Sequence, residues 1–175
     1  MSLHLIIDGY NLIRRSPSLS ILDRDCLEKG RAALIQRLAR YKRVRAFPIT
    51  VVFDGPNQPH FLASKTIERG IRLVFSREGQ KADDVIIQMT RQMREKAMVV
   101  TSDTQLQREV VHHDATVIPV EEFERKMEMS SYMANKGINP EDRGEHSETP
   151  RTQKKGPSRR LSKRARKAQQ RIKKL

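Results

Sequence analysis

Leu3-His4-Leu5-Ile6-Ile7-Asp8-Gly9 is a short, mostly apolar run stopped by an aspartate and a glycine. It predicts a buried strand that ends in a turn. The same ending recurs further along. Ile49-Thr50-Val51-Val52-Phe53 stops at Asp54-Gly55, with a Pro56–Pro59 loop behind it, and Ala97-Met98-Val99-Val100-Thr101 stops at Ser102-Asp103. Ile71–Phe75 and Ala115–Ile118 read as two more strands. The segments between them have helical periodicity. Asp23–Arg43 carries Leu27, Leu34, Leu38 and Tyr41 on one face. A helix starting at Asp83 and Asp84 carries Val85, Ile86, Met89 and Met93, and two more cover Thr104–His113 and Val120–Asn135. Such alternation predicts an α/β fold: a mostly parallel sheet of about five strands with helices on both faces. Near-continuous apolar strands agree, because a parallel sheet is covered on both sides.

The formal net charge of +14 on 175 residues is unevenly placed. Residues 151–175 hold twelve Lys and Arg and no acid, which leaves the first 150 residues at +2. The expected organisation is one domain over 1–136, a linker over 137–156 and a basic tail over 157–175. Self-repulsion predicts a tail that is disordered when free and that folds on binding a polyanion. The tail has no aromatic residue, so its binding would be electrostatic and strongly salt-dependent. Structured RNA is the expected partner, and Leu161, Ile172 and Leu175 offer too little apolar face for a membrane. No apolar run reaches the ~18–20 residues of a spanning helix. The N-terminus lacks the basic region and cleavage site of a signal peptide. The single cysteine, Cys26, reads as helix filler in a reducing setting, and a cytoplasmic location is expected.

Three strands end in an aspartate, Asp8, Asp54 and Asp103, while Asp83 and Asp84 open a helix. In an open parallel sheet the C-terminal strand ends share one edge, where ligands bind. Carboxylates gathered there repel one another unless a cation is present. Oxygen donors without Cys and with scattered His point to Mg²⁺ or Mn²⁺, which serve phosphodiester chemistry. Each piece has a plainer reading. Asp-Gly is commonly a turn, Asp83 and Ser102-Asp103 suit helix caps, and Asp84 suits the positive end of a helix dipole. Their shared placement, rather than any one residue, favours a site. Gly9 and Gly55 build no phosphate-binding glycine motif, and Ser102 lacks a nucleophile elbow.

Ile6-Ile7-Asp8-Gly9-Tyr10-Asn11-Leu12-Ile13 resembles the signature of the NYN domain in its YacP-like branch, within the PIN-like nucleases. Val51–Gly55, Lys81–Ile86 and Val99–Asp103 match in order, so the resemblance covers about residues 3–135. It implies a PIN-like three-layer sandwich and a metal-dependent endoribonuclease. On that resemblance Asp8, Asp83 and Asp103 hold Mg²⁺ or Mn²⁺, Asn11 and Asp84 join the catalytic set, and Asp54 supports it from behind. Tyr10 is expected to brace the turn. Arg14 and Arg15 would steer phosphates, with an exposed loop as the equal alternative. In the tail Lys154, Lys155, Arg159, Arg160, Lys163, Arg164, Arg166, Lys167, Arg171, Lys173 and Lys174 would hold RNA, messenger or ribosomal, or the ribosome itself. The tail is the chain's main expected departure from the family. The competing readings are a non-catalytic RNA-binding or ribosome-associated module and, more weakly, a phosphatase or DNA nuclease on the same metal site.

Overall fold

Six strands form one sheet in the computed structural model, which describes residues 2–55, 64–135 and 162–175. The Pro56–Pro59 loop, the 137–156 linker, and Lys154, Lys155, Arg159 and Arg160 lie outside the described residues. The strands are β1 (His4–Asp8), β2 (Ile49–Phe53), β3 (Lys65–Glu68), β4 (Ile71–Phe75), β5 (Ala97–Val100) and β6 (Thr116–Ile118). Their order is β3-β4-β2-β1-β5-β6, and every pairing is parallel except β3 with β4. From β1 the chain steps outward through β2 to β4, then returns to place β5 on the other side of β1. The switch point of the topology therefore lies between β1 and β5, where open sheets of this kind bind ligands.

Alternate residues of the central strands feed two cores. Leu5, Ile7, Val51, Phe53 and Met98 face one layer, built from α1 (Gly9–Arg15), α2 (Pro17–Asp25), α3 (Leu27–Val44) and α6 (Val120–Asn135). Ile6, Val52, Val74 and Val99 face the other, built from α4 (Ala82–Met93) and α5 (Thr104–His112). The result is a three-layer α/β sandwich. Among the described residues no helix is long and apolar enough to cross a membrane.

The sheet and the first long helix differ from the expectation. The sheet has a sixth strand, β3, whose four residues are all exposed, so no apolar run announced it. It joins β4 through Arg69-Gly70, both at positive φ, the backbone that a tight two-residue hairpin requires. The helix expected over Asp23–Arg43 is two helices, broken at Cys26, whose backbone is extended. Leu27, assigned to its apolar stripe, is 44% exposed.

The end of the tail is folded against the domain. Helix α7 (Lys163–Lys173) lies beside β6 and the 3₁₀ turn Arg94–Lys96. Arg164 pairs with Asp114 at 3.3 Å, while Lys167 and Arg171 reach Glu95 at 3.5 and 2.9 Å. Ile172 packs on the first core, Leu175 is buried, and the Tyr41 hydroxyl donates to the Leu175 main-chain oxygen at 2.7 Å. Acids of the domain thus offset the self-repulsion from which disorder was expected. These contacts all lie at the N-terminal ends of β5 and β6 and the C-terminal end of α3. Glu95→Gln removes the partner of two cations, each exposed pair being worth about 0.2–1 kcal/mol. Trypsin should then cut α7 several-fold faster while the global melting midpoint hardly moves.

Candidate active site

Asp8 is the last residue of β1 and the N-cap of α1, so the strand delivers its carboxylate and the helix start fixes it. The Asn11 N–H donates to Oδ1 at 3.3 Å and the Thr101 hydroxyl donates to Oδ2 at 3.2 Å. The residue is only 7% exposed. Burial, with the negative charges of Asp83 and Asp54 nearby, pushes its carboxyl up to about 6, against the hydrogen bonds from Asn11 and Thr101.

Asp103 follows β5 and caps α5, accepting from the Leu106 N–H at 2.8 Å. Asp83 sits in the first turn of α4. Its carboxyl is also raised, first by burial and then by Asp103, Asp54 and Asp84. Asp54, just past β2, is exposed and accepts from the Ala82 N–H at 2.7 Å, which ties the β2 end to the start of α4. Asp84 accepts from the Lys81 N–H at 3.1 Å and is occupied as a cap residue on the exposed side of the helix start.

Asp8, Asn11, Asp54, Asp83 and Asp103 line one open cleft of about 360 Å³ at the C-terminal edge of the sheet, while Asp84 is not among its lining residues. Arg14 and Arg15, exposed on the last turn of α1, line the same cleft. Tyr10 packs edge-on against Phe53 at 5.0 Å between centroids and carries the Arg14 guanidinium over its ring, so it braces the floor. The Asn11 side chain ties two segments together. Its Oδ1 accepts from the Ser102 N–H at 2.9 Å, which locks the β5–α5 loop onto α1. Ser102 is engaged as well, accepting from the Val120 N–H and facing Glu121.

Thr101 is a member of the site that no sequence motif singled out. It is fully buried, donates to the Asp8 carboxylate, and accepts from the Asp103 N–H at 3.1 Å, so one hydroxyl ties that carboxylate to the main chain of Asp103. The only signal for it was a threonine closing an otherwise apolar strand. Thr101→Val keeps the shape but breaks both bonds and orphans the Asp103 N–H. A loss of about 1–2 kcal/mol in chemical denaturation at neutral pH is expected, with the Asp8 carboxyl moving further upward.

Among the described residues no three His, Cys, Asp or Glu stand together as a ready-made metal group. The carboxylates line a common space without converging on a point, because Asp8, Asp54 and Asp103 each hold a backbone N–H. The donor chemistry nevertheless fits a hard divalent cation: the cleft offers carboxylate oxygens and neither Cys nor His, and the two carboxyls, raised first by burial and then by neighbouring acids, are groups whose charge a cation would stabilise.

The family model of the YacP-like NYN domain matches residues 5–174. The match runs through α7, so the basic C-terminal segment lies inside the family's span and is not the departure that was expected. The chain is 31% identical to the YacP protein of Bacillus subtilis over 102 residues, which are 57% of this chain and 59% of that protein. It is similar to the crystal structure of Rae1 (YacP) from Bacillus subtilis, with a TM-score of 0.64 and 27% identity over 79% of this chain and 80% of that one. A tryptophan-to-leucine mutant of the same Rae1 (YacP) matches equally, with a TM-score of 0.65 and 25% identity over 78% of this chain and 80% of that one.

Proposed function

Since the chain belongs to the YacP-like NYN domain family, a nuclease-type fold, we propose that it is a metal-dependent endoribonuclease. The observation that carries the reading is the gathering of Asp8, Asp54, Asp83 and Asp103, from four separate segments, around one cleft at the sheet's switch point. Asp8, Asp83 and Asp103 would hold Mg²⁺ or Mn²⁺. When bound, such an ion supplies a water of lowered pKa and stabilises charge on the phosphate, giving 5′-phosphate and 3′-hydroxyl products.

The chain's own groups do the positioning. Thr101 and the Asn11 N–H hold the Asp8 carboxylate, and the Asn11 amide keeps the Asp103 loop at its distance. Asp54 fixes the start of the helix that presents Asp83. Arg14 and Arg15 draw the flanking phosphates to a cleft whose carboxylates would otherwise repel them. On α7 the pairs made by Arg164, Lys167 and Arg171 leave Lys163, Arg166, Lys173 and Lys174 as the exposed cations that would recruit structured RNA or the ribosome in a cytoplasmic setting.

A non-catalytic RNA-binding module is the second reading. It draws on Asp8, Asp84 and Asp103 each accepting a backbone N–H at a helix start. Incubation with structured and single-stranded RNA, and with matched DNA, separates the two. Cleavage of RNA that needs Mg²⁺ or Mn²⁺, stops with EDTA and falls at least about 100-fold in Asp83→Asn is the expected result. Mn²⁺ should also raise the melting midpoint of the wild type and not of that variant. Equal behaviour of the two proteins refutes the nuclease reading.

A further inference from the structure

A cavity larger than the carboxylate cleft lies elsewhere on the domain. It is a groove of about 750 Å³ between α4 and the β3–β4 hairpin. One wall is a single face of α4: Val85, Gln88, Met89, Gln92 and Met93 recur at helical spacing over about two turns. The other wall comes from the sheet. Lys65 pairs with Val74 and Ile67 with Arg72 across the hairpin, and the pleat puts all four on the same face. The upper end is closed by Arg77 and Gln80, and Gln80 lies three residues before Asp83. The groove therefore starts at the rim of the carboxylate cleft and runs away from it along α4.

Its chemistry differs from that of the cleft. Every charged residue lining it, Lys65, Arg72 and Arg77, is a cation, and all three are exposed. Its floor is apolar and adaptable, supplied by Met89, Met93 and Val74. Gln88 and Gln92, one turn apart, present amides with both donor and acceptor, the groups that read base edges. Cations along one wall, an apolar floor and a pair of amides suit a polyanion that also exposes flat bases, which is single-stranded nucleic acid. The volume is that of a ligand site rather than a surface dent.

We propose that this groove is the substrate subsite that holds the single-stranded stretch of RNA next to the scissile phosphate, with phosphates on Lys65, Arg72 and Arg77 and bases over Met89 and Met93. This rests on the nuclease reading for what happens at the cleft, but binding in the groove is separable from cleavage. Among the described lining residues the apolar contacts come from Met89, Met93 and Val74, so bases would be held by apolar contact and amide hydrogen bonds, the Phe75 ring being stacked on Phe53 in the other core.

The test is fluorescence anisotropy with a short fluorescein-labelled single-stranded RNA, in the full chain carrying Asp8→Asn so that cleavage does not intervene. Lys65→Ala, Arg72→Ala and Arg77→Ala together should weaken binding at least tenfold and lower the slope of log affinity against log salt by about 2, close to 0.7 per lost phosphate contact. Gln88→Ala with Gln92→Ala should weaken binding several-fold at an unchanged slope. All five side chains are exposed, so unaltered melting curves are expected. A triple variant with unchanged affinity and slope overturns the proposal. So does a triple variant that weakens heparin and duplex RNA as much as single strands, since that describes a diffuse polyanion contact. A peptide partner in the groove would show as groove variants without effect on RNA, which also overturns it. Failure of the nuclease reading alone would leave the binding losses in place while the wild type cleaves nothing.

Discussion

Asp8→Asn should lose RNA cleavage by about 10³-fold or more, some 4 kcal/mol of barrier, and yet melt at a higher temperature than the wild type at pH 7. The two effects share one cause. Asp8 is buried among other acids, and its carboxyl sits at about 6 against an ordinary 3.8. The folded protein holds that proton more tightly than the unfolded chain does. The stability contributed by the group is therefore complete below pH 3.8, declines as pH rises from 3.8 to 6, and is absent at neutrality. Two pH units correspond to about 3 kcal/mol, an upper figure for what ionising this side chain costs the fold. Asn removes the charge and gives up one acceptor, so a net gain of about 1–2 kcal/mol, or roughly 3–6 °C, is expected at pH 7. The gain should vanish near pH 4. Melting curves at the two pH values, beside a cleavage assay, check both halves. A variant that cleaves normally, or that is less stable at pH 7 than at pH 4 relative to wild type, would contradict the account.

Gly9→Ala carries the largest expected loss of fold. An added Cβ would lie 2.3 Å from Phe53 Cε1 and 2.5 Å from Cδ1. The Phe53 ring cannot retreat, being fully buried, crossed edge-on by Tyr10 and stacked on Phe75 at 5.5 Å. Gly9 is thus required for close approach of α1 to β2 and not for an unusual backbone. Overpacking of this kind costs about 2–4 kcal/mol, read as a lower denaturation midpoint. Phe53→Leu should be costly by itself but partly rescue Gly9→Ala, with a coupling of about 1 kcal/mol in the double-mutant cycle. Additive losses would show that the clash is not what Gly9 avoids.

The five core strands were legible because burial on both faces makes each a near-continuous apolar run. β3 was not, since an exposed edge strand of Lys65-Thr66-Ile67-Glu68 carries no such pattern. Helix α1 was hidden inside the motif itself, starting at a glycine directly after a strand. The break at Cys26 fell inside a stretch whose apolar spacing continued across it. Of the candidate site, strand ends alone located Asp8, Asp54 and Asp103. Asp83 was told from the adjacent Asp84 only through the family resemblance, because neighbouring helix residues point about 100° from each other and only the packing decides which one faces the cleft. Thr101 escaped because its role is a hydrogen bond between segments far apart in the chain. The tail reading went by its own charge, whereas its partners, Glu95 and Asp114, lie some fifty residues or more upstream.

If the protein grips and cuts RNA as proposed, the seat of α7 sets a geometric condition on that substrate. The helix is pinned where β5 and β6 begin, while the carboxylates stand where β1 and β5 finish. The two are held apart by at least the length of a strand, about 15 Å. A fragment short enough to fill the cleft cannot touch the helix, so neutralising Lys163, Arg166, Lys173 and Lys174 should leave turnover of short RNA unchanged and slow that of long RNA alone. On that reading the sheet would act as a calliper, making substrate length a quantity that the domain can sense.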